Sequence, residues 1–265
     1  MIQFNIHRFG KVARWSLTND KSYYVKLFLQ VLTVSALLFI FFTTRFFTFN
    51  TDRMDALFGP CALIYVGVLL VHLFLAPSLM FYSFKNKHDD QTYMLLPASN
   101  FEKYVARYVT TLLLLVVFLV ALVAGDLIQF LVNLLLGAEH QQLVLSYLME
   151  KMSLIHISGY IKWRHILTMF TAFFWLQSFY ALGGTFFRSH KYAWIFTTLL
   201  LIVGSMCISW GMLIFYPTDQ IVTDETPIRT VWLTNIINLI WACANYWLSF
   251  KCFCRSQVIG KFINV

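Results

Sequence analysis

Six long runs without a charged side chain set the pattern of this sequence. Between Lys26 and Arg45 lie 18 uncharged residues, between Asp55 and Lys85 lie 29, and between Arg107 and Asp126 lie 18. Three more follow, with 23 between Arg164 and Arg188, 27 between Lys191 and Asp219, and 21 between Arg229 and Lys251. A helix rising about 1.5 Å per residue needs about 20 apolar residues to cross a hydrocarbon core of about 30 Å. Membrane strands alternate in polarity, and runs such as TLLLLVVFLVALVAG do not. Backbone in lipid must satisfy its own hydrogen bonds, so these runs predict helices. The expected fold is all-α: a polytopic membrane protein with six transmembrane helices over about 26–45, 57–84, 104–126, 166–187, 192–216 and 230–251. Together they make 1–265 a single transmembrane domain.

The segments between the runs have patterns of their own. Over about 4–20, Ile6, Phe9, Ala13 and Leu17 recur at helical spacing, with Arg8, Lys11 and Arg14 elsewhere on the turn. That pattern predicts an amphipathic helix lying in the headgroup layer, held by burial and by anionic lipid. In the second run, Pro77 lacks a backbone donor and predicts a kink. Asp126 follows about 27 Å of helix, which places it near the outer boundary as an interfacial carboxylate; proton relay is the other role open to it. Gln129 and Asn133 lie at helical spacing from it and carry the helix beyond the membrane on a polar stripe. The outer loop, about 137–165, sets Val144, Leu148, Met152 and Ile155 on one face of a further amphipathic helix. In the fifth run, Gly204, Cys207 and Gly211 form a small-residue face for close helix approach. Asn235, Asn238, Ala242, Asn245 and Ser249 line one side of the last, serving either as glue between helices or as a substrate path.

Composition supports a bilayer as solvent: 59% of the 265 residues are hydrophobic and 12% charged, against about 25% charged in soluble domains. The net charge of +8 is a topology signal rather than a nucleic-acid footprint. Assigning loops alternately puts 14 of the 20 Lys and Arg on the side holding both termini, and cytoplasmic loops carry that excess. No A-x-A-like cleavage site follows the first run, so it reads as a permanent anchor. The five cysteines give no disulfide framework, and Cys252-x-Cys254 is too short for a metal motif. Neither Gly10-Lys11 nor Gly260-Lys261 has the preceding glycine of a P-loop. H-E-x-x-H and G-x-S-x-G are missing, and the seven histidines, His72 among them, show no ligand spacing. No cofactor, metal or enzymatic activity is expected of this chain.

The first inner loop, about 85–103, is the most structured segment outside the runs. Ser99-Asn100-Phe101-Glu102 is a capping box, so a helix is expected to begin near Asn100, with Pro97 isolating it from what precedes. Ahead of the proline, KHDDQTYMLL fits a short helix. The result is an elbow that either passes a push from a cytoplasmic partner into the membrane or simply caps the third span.

MLLPASNFEKYVARY resembles the LLPxSxxEK loop of membrane subunits of bacterial ABC transporters of the type-2, export class. SFYALGGTFFRSHKYAWI, HRFGKVARW and the terminal YWLSFKCFCRSQVIGKF are similar to segments of the same permeases, although Cys252 and Cys254 interrupt the basic pattern usual at the C-terminal helix. The resemblance implies a dimeric permease in the bacterial inner membrane, exporting substrate by alternating access. It further implies that a separate ABC ATPase subunit hydrolyses ATP and that the second permease is another copy or a paralogue. Coupling to the ATPase would fall on Asp89, Asp90, Tyr93, Met94 and Leu95, with Pro97, Ser99 and Glu102 forming the cap behind them. Two readings compete with it. One is an ion-coupled carrier using Asp126, His72 and Asn235, Asn238 and Asn245; the other is a membrane scaffold.

Overall fold

Lys21 to Thr43, an almost uninterrupted apolar run, is the first of several helices whose outer faces carry large hydrocarbon side chains. The computed structural model describes residues 4–44, 54–82, 87–137, 141–157, 163–187, 192–215 and 228–255. It is 91% helical, with no strand among the described residues. The helices are α1 (Ile6–Asn19), α2 (Lys21–Thr43), α3 (Met54–Leu75), α4 (Lys87–Leu95), α5 (Asn100–Leu135), α6 (Val144–Ile157), α7 (Trp163–Phe186), α8 (Ala193–Phe215) and α9 (Ile228–Arg255).

Among the described residues, four stretches are long and apolar enough to cross a membrane: Lys21–Thr43, Asp55–Leu79, Asn100–Leu135 and Ile166–Phe186, with mean hydropathies of 2.2, 2.2, 2.8 and 1.3. These are helices of a membrane protein. Leu63 is 75% exposed and Met169 68%; against water such a surface would be a liability, and against lipid it is the outer face. Among the described residues α8 offers a shorter apolar stretch, Ala193–Met206. The 28 residues of α9 include Asn235, Asn238 and Asn245, which dilute its hydropathy.

The chain divides into two compact units. One comprises Met1–Ala13, Phe74–Thr111 and Trp163–Val265, the other Arg14–Leu73 and Leu112–Lys162. In the first, α7 and α9 pack along their length through paired small and polar residues. Thr171 donates to Asn235 Oδ1 at 2.8 Å, Asn245 donates to Ser178 at 3.2 Å, and Ser249 donates to the Ala181 carbonyl at 3.0 Å. Pro77 acts as its missing N–H dictates: α3 ends at Leu75 and a 3-10 turn over Ala76–Leu79 takes its place. Gly184 of α7 lies against that turn, where a Cβ would meet the Ser78 Cα and carbonyl oxygen at 2.9 Å each.

In the second unit Phe39, Phe58, Cys61, Tyr65, Phe118, Leu122, Val144 and Tyr147 form one buried cluster. Gly125 of α5 faces Ser35 and the Ala36 backbone of α2 in a similarly close approach.

The helix faces expected for α6, α1 and α8 take the following positions. In α6, Met152 is exposed, whereas Val144 and Tyr147 are buried and Lys151 is half-buried. Tyr147 donates a hydrogen bond to Asp55 at 2.8 Å, and Lys151 pairs with the exposed Asp55 at 2.8 Å. In α1, Ile6 is 70% exposed and Phe9, Ala13 and Leu17 are half-buried, while Val12 and Ser16 are buried. A Cβ on Gly204 would meet nothing within 4 Å among the described residues outside its own helix backbone, whereas Gly125, Gly183 and Gly184 make close approaches. The side chains of Cys207 and Ile155 and the surroundings of Gly211 lie outside the described residues.

Candidate functional site

The capping box sets the geometry of the elbow. The Ser99 hydroxyl accepts the Glu102 N–H at 3.2 Å, and Glu102 Oε2 accepts the Ser99 N–H at 2.8 Å. Two amide donors that a helix start leaves open are thereby satisfied. Pro97 lies in the turn between α4 and α5, where the Leu96 N–H bonds the Tyr93 carbonyl at 3.3 Å and the Ala98 N–H bonds that of Leu96 at 2.7 Å.

Glu102 also reaches outside its own helix. Its Oε1 accepts the Asn5 N–H at 2.6 Å and Arg8 Nη2 at 3.0 Å, and its side chain is wholly buried. Asn5 in turn caps α1, its Oδ1 accepting the N–H of His7 at 2.9 Å. Phe4 meets Phe101 edge-on with ring centroids 6.1 Å apart. One carboxylate thus joins the first turn of α1 to the first turn of α5.

A second set of contacts fixes α4. Tyr93 is fully buried, and its hydroxyl donates to the Lys103 carbonyl. Lys103 Nζ donates to the Met94 carbonyl at 2.6 Å. The Arg107 guanidinium lies 5.2 Å from the centre of the Tyr93 ring, a distance at which a cation is attracted to the ring face. Lys103 and Arg107, one helical turn apart, are themselves buried. Sequence reading counted both only as inner-loop charges; their i, i+4 spacing directly after a capped helix start was the available signal.

This arrangement sorts the expected coupling residues. Tyr93 is a buried strut with no surface for a partner, Met94 is half-buried, and Leu95 is 82% exposed. Asp89 and Asp90 belong to α4, and their side chains lie outside the described residues. Removing only the strut's hydroxyl, in Tyr93→Phe, is expected to destabilise the folded chain by about 1 kcal/mol, the net worth of a hydrogen bond. Thermal unfolding in detergent measures it, and an unchanged melting temperature would show that this bond does not hold α4.

The remaining candidates lie elsewhere. Asp126 belongs to the other unit, where its carboxylate oxygens accept the N–H groups of Val144 at 2.9 Å and Leu145 at 3.0 Å. It therefore caps α6, where a helix N-terminus favours negative charge. In the same unit the His72 ring stacks on Phe118 at 4.0 Å. Asn235 and Asn245 sit in the α7–α9 seam, and Asn238 is half-buried. Among the described residues no group of three His, Cys, Asp or Glu side chains could hold a metal ion. No family model, no curated protein and no solved structure matches this chain.

Proposed function

We propose that this chain is the membrane subunit of an ATP-driven exporter similar to the type-2 ABC permeases, with α4 as the surface on which a separate ATPase subunit docks. One observation carries the reading: α4 is clamped by Tyr93, Lys103 and Arg107 to the start of α5, a helix of 36 residues. A push on α4 is passed to that helix without an intervening flexible link. On this reading α8 and α9 are the fifth and sixth spans, both termini face the cytoplasm, and the subunit works paired with a second permease in the bacterial inner membrane. ATP hydrolysis belongs to the partner. The carrier reading draws less support, because Asp126 is already engaged in capping α6.

The test is copurification from the native membrane. Wild-type chain is expected to bring down a P-loop ATPase. A variant carrying Asp89→Ala, Asp90→Ala and Leu95→Ala is expected to lose at least about tenfold of it, as contact residues of an interface do. Tyr93 is left intact so that the elbow itself survives. An ATPase retained equally by both proteins, or found with neither, would remove α4 from that role.

A further inference from the structure

The second unit carries a groove whose polarity changes along its length in the way a phospholipid's does. It opens along one side between α2 and α3, with a volume of about 260 Å³. Leu27, Val31, Val34 and Leu38 of α2 line it opposite Ile64 and Val68 of α3. The lining on α2 extends from Leu27 to Phe39, which is about 18 Å of helix. Ser35 and Tyr65 also border the groove, but the Ser35 hydroxyl is engaged with the Leu32 carbonyl at 3.2 Å. The interior is therefore hydrocarbon.

Towards the N-terminal end of α2 the same flank becomes polar. Ser22, Lys26 and Gln30 recur every four residues and are all exposed, with Gln30 forming part of the groove wall. Lys21 and Arg14 are exposed nearby in sequence, and the only carboxylate among residues 4–44, Asp20, is buried. A lysine at that level lays its alkyl stem on apolar surface and keeps its ammonium among headgroups.

We infer that this groove binds one acyl chain of an anionic phospholipid from the bilayer, with Lys26 holding the phosphate and Gln30 the polar linkage below it. Both walls are helices long and apolar enough to span the membrane, so hydrocarbon is the medium that meets the groove. A helix from a second copy fits less well. Close helix packing in lipid uses stripes of small residues, whereas this face presents branched Val31, Val34 and Leu38, and Ser35 is occupied by its approach to Gly125. The assignment does not depend on an ATPase partner.

Native mass spectrometry of the full chain in mild detergent tests it, using equal amounts of phosphatidylglycerol and phosphatidylcholine with matched chains. Wild-type protein is expected to retain phosphatidylglycerol over phosphatidylcholine by about fivefold, the pull of one lysine on an anionic lipid. Lys26→Gln, at an exposed position, is expected to bring that ratio close to one. Val34→Trp, filling the groove from its open side, is expected to lower retention of both lipids while the melting temperature holds. Equal retention of the two lipids by wild type would overturn the assignment, as would a preference that survives Lys26→Gln or lipid that survives Val34→Trp. A lipid-free dimer that Val34→Trp converts to monomer would give the groove to a second copy and overturn it equally.

Discussion

Glu102→Ala is expected to destabilise the folded chain by about 3 kcal/mol and to release the start of α1. Three donors lose one acceptor in this variant: the Ser99 N–H, the Asn5 N–H and the Arg8 guanidinium. Hydrogen bonds to a charged group contribute about 1.5–3 kcal/mol each. The sum is reduced because Arg8 keeps about a third of its surface in solvent and regains water there. The two amides lie at helix starts, where an alanine leaves them without a side-chain acceptor. Glu102→Gln keeps an acceptor for the Ser99 amide and is expected to lose about half as much. Arg8→Ala removes only the partly exposed partner and is expected to lose about 1 kcal/mol or less. Thermal unfolding ranks the three variants, and hydrogen exchange over Asn5–Val12 locates the change. If Arg8→Ala matches Glu102→Ala, the carboxylate is an ordinary ion-pair partner and does not join the two helices.

The same residue shows how far the sequence could be read. The box itself was legible, because Ser99 and Glu102 act across three residues of one helix and their spacing is the mechanism. Its partners Asn5 and Arg8 were not, since no local pattern relates a helix start to a carboxylate nearly a hundred positions away. The long α5 and its polar stripe at Asp126, Gln129 and Asn133 were legible from period alone, and all three side chains are buried. What Asp126 does there was not, because it bonds backbone N–H groups of α6, which leave no trace in residue identity. The contacts of α6 were not legible for a related reason. A count of apolar positions ranks Met152 above Lys151, whereas the fold turns Lys151 towards Asp55. Lys103 and Arg107 were counted only as charges of the inner side and are buried struts. Charge counts report the side of the membrane, not whether a long side chain is folded back onto its own elbow.

Gly184→Val is expected to destabilise the protein by about 3 kcal/mol, at the upper end of the range for overpacking, whereas Gly204→Val is expected to change stability little. Both glycines lie in apolar helices, so composition does not separate them. Their surroundings do. A Cβ on Gly184 would stand 2.9 Å from the Ser78 Cα and carbonyl oxygen and 3.0 Å from the Pro77 carbonyl oxygen, all of them main-chain atoms. Those atoms belong to the turn that Pro77 imposes at the end of α3, so there is no side chain to rotate aside. Adjacent Gly183 makes the same close approach to the buried Thr197, so α7 has little freedom to shift its register and recover. Around Gly204 no described atom beyond its own helix backbone lies within 4 Å of the added carbon. Thermal unfolding of the two variants in one detergent measures the difference. Equal losses would mean that valine acts through helix preference alone. A loss confined to Gly184→Val would mean that the glycine pair is what lets α7 lie against a proline-broken helix end.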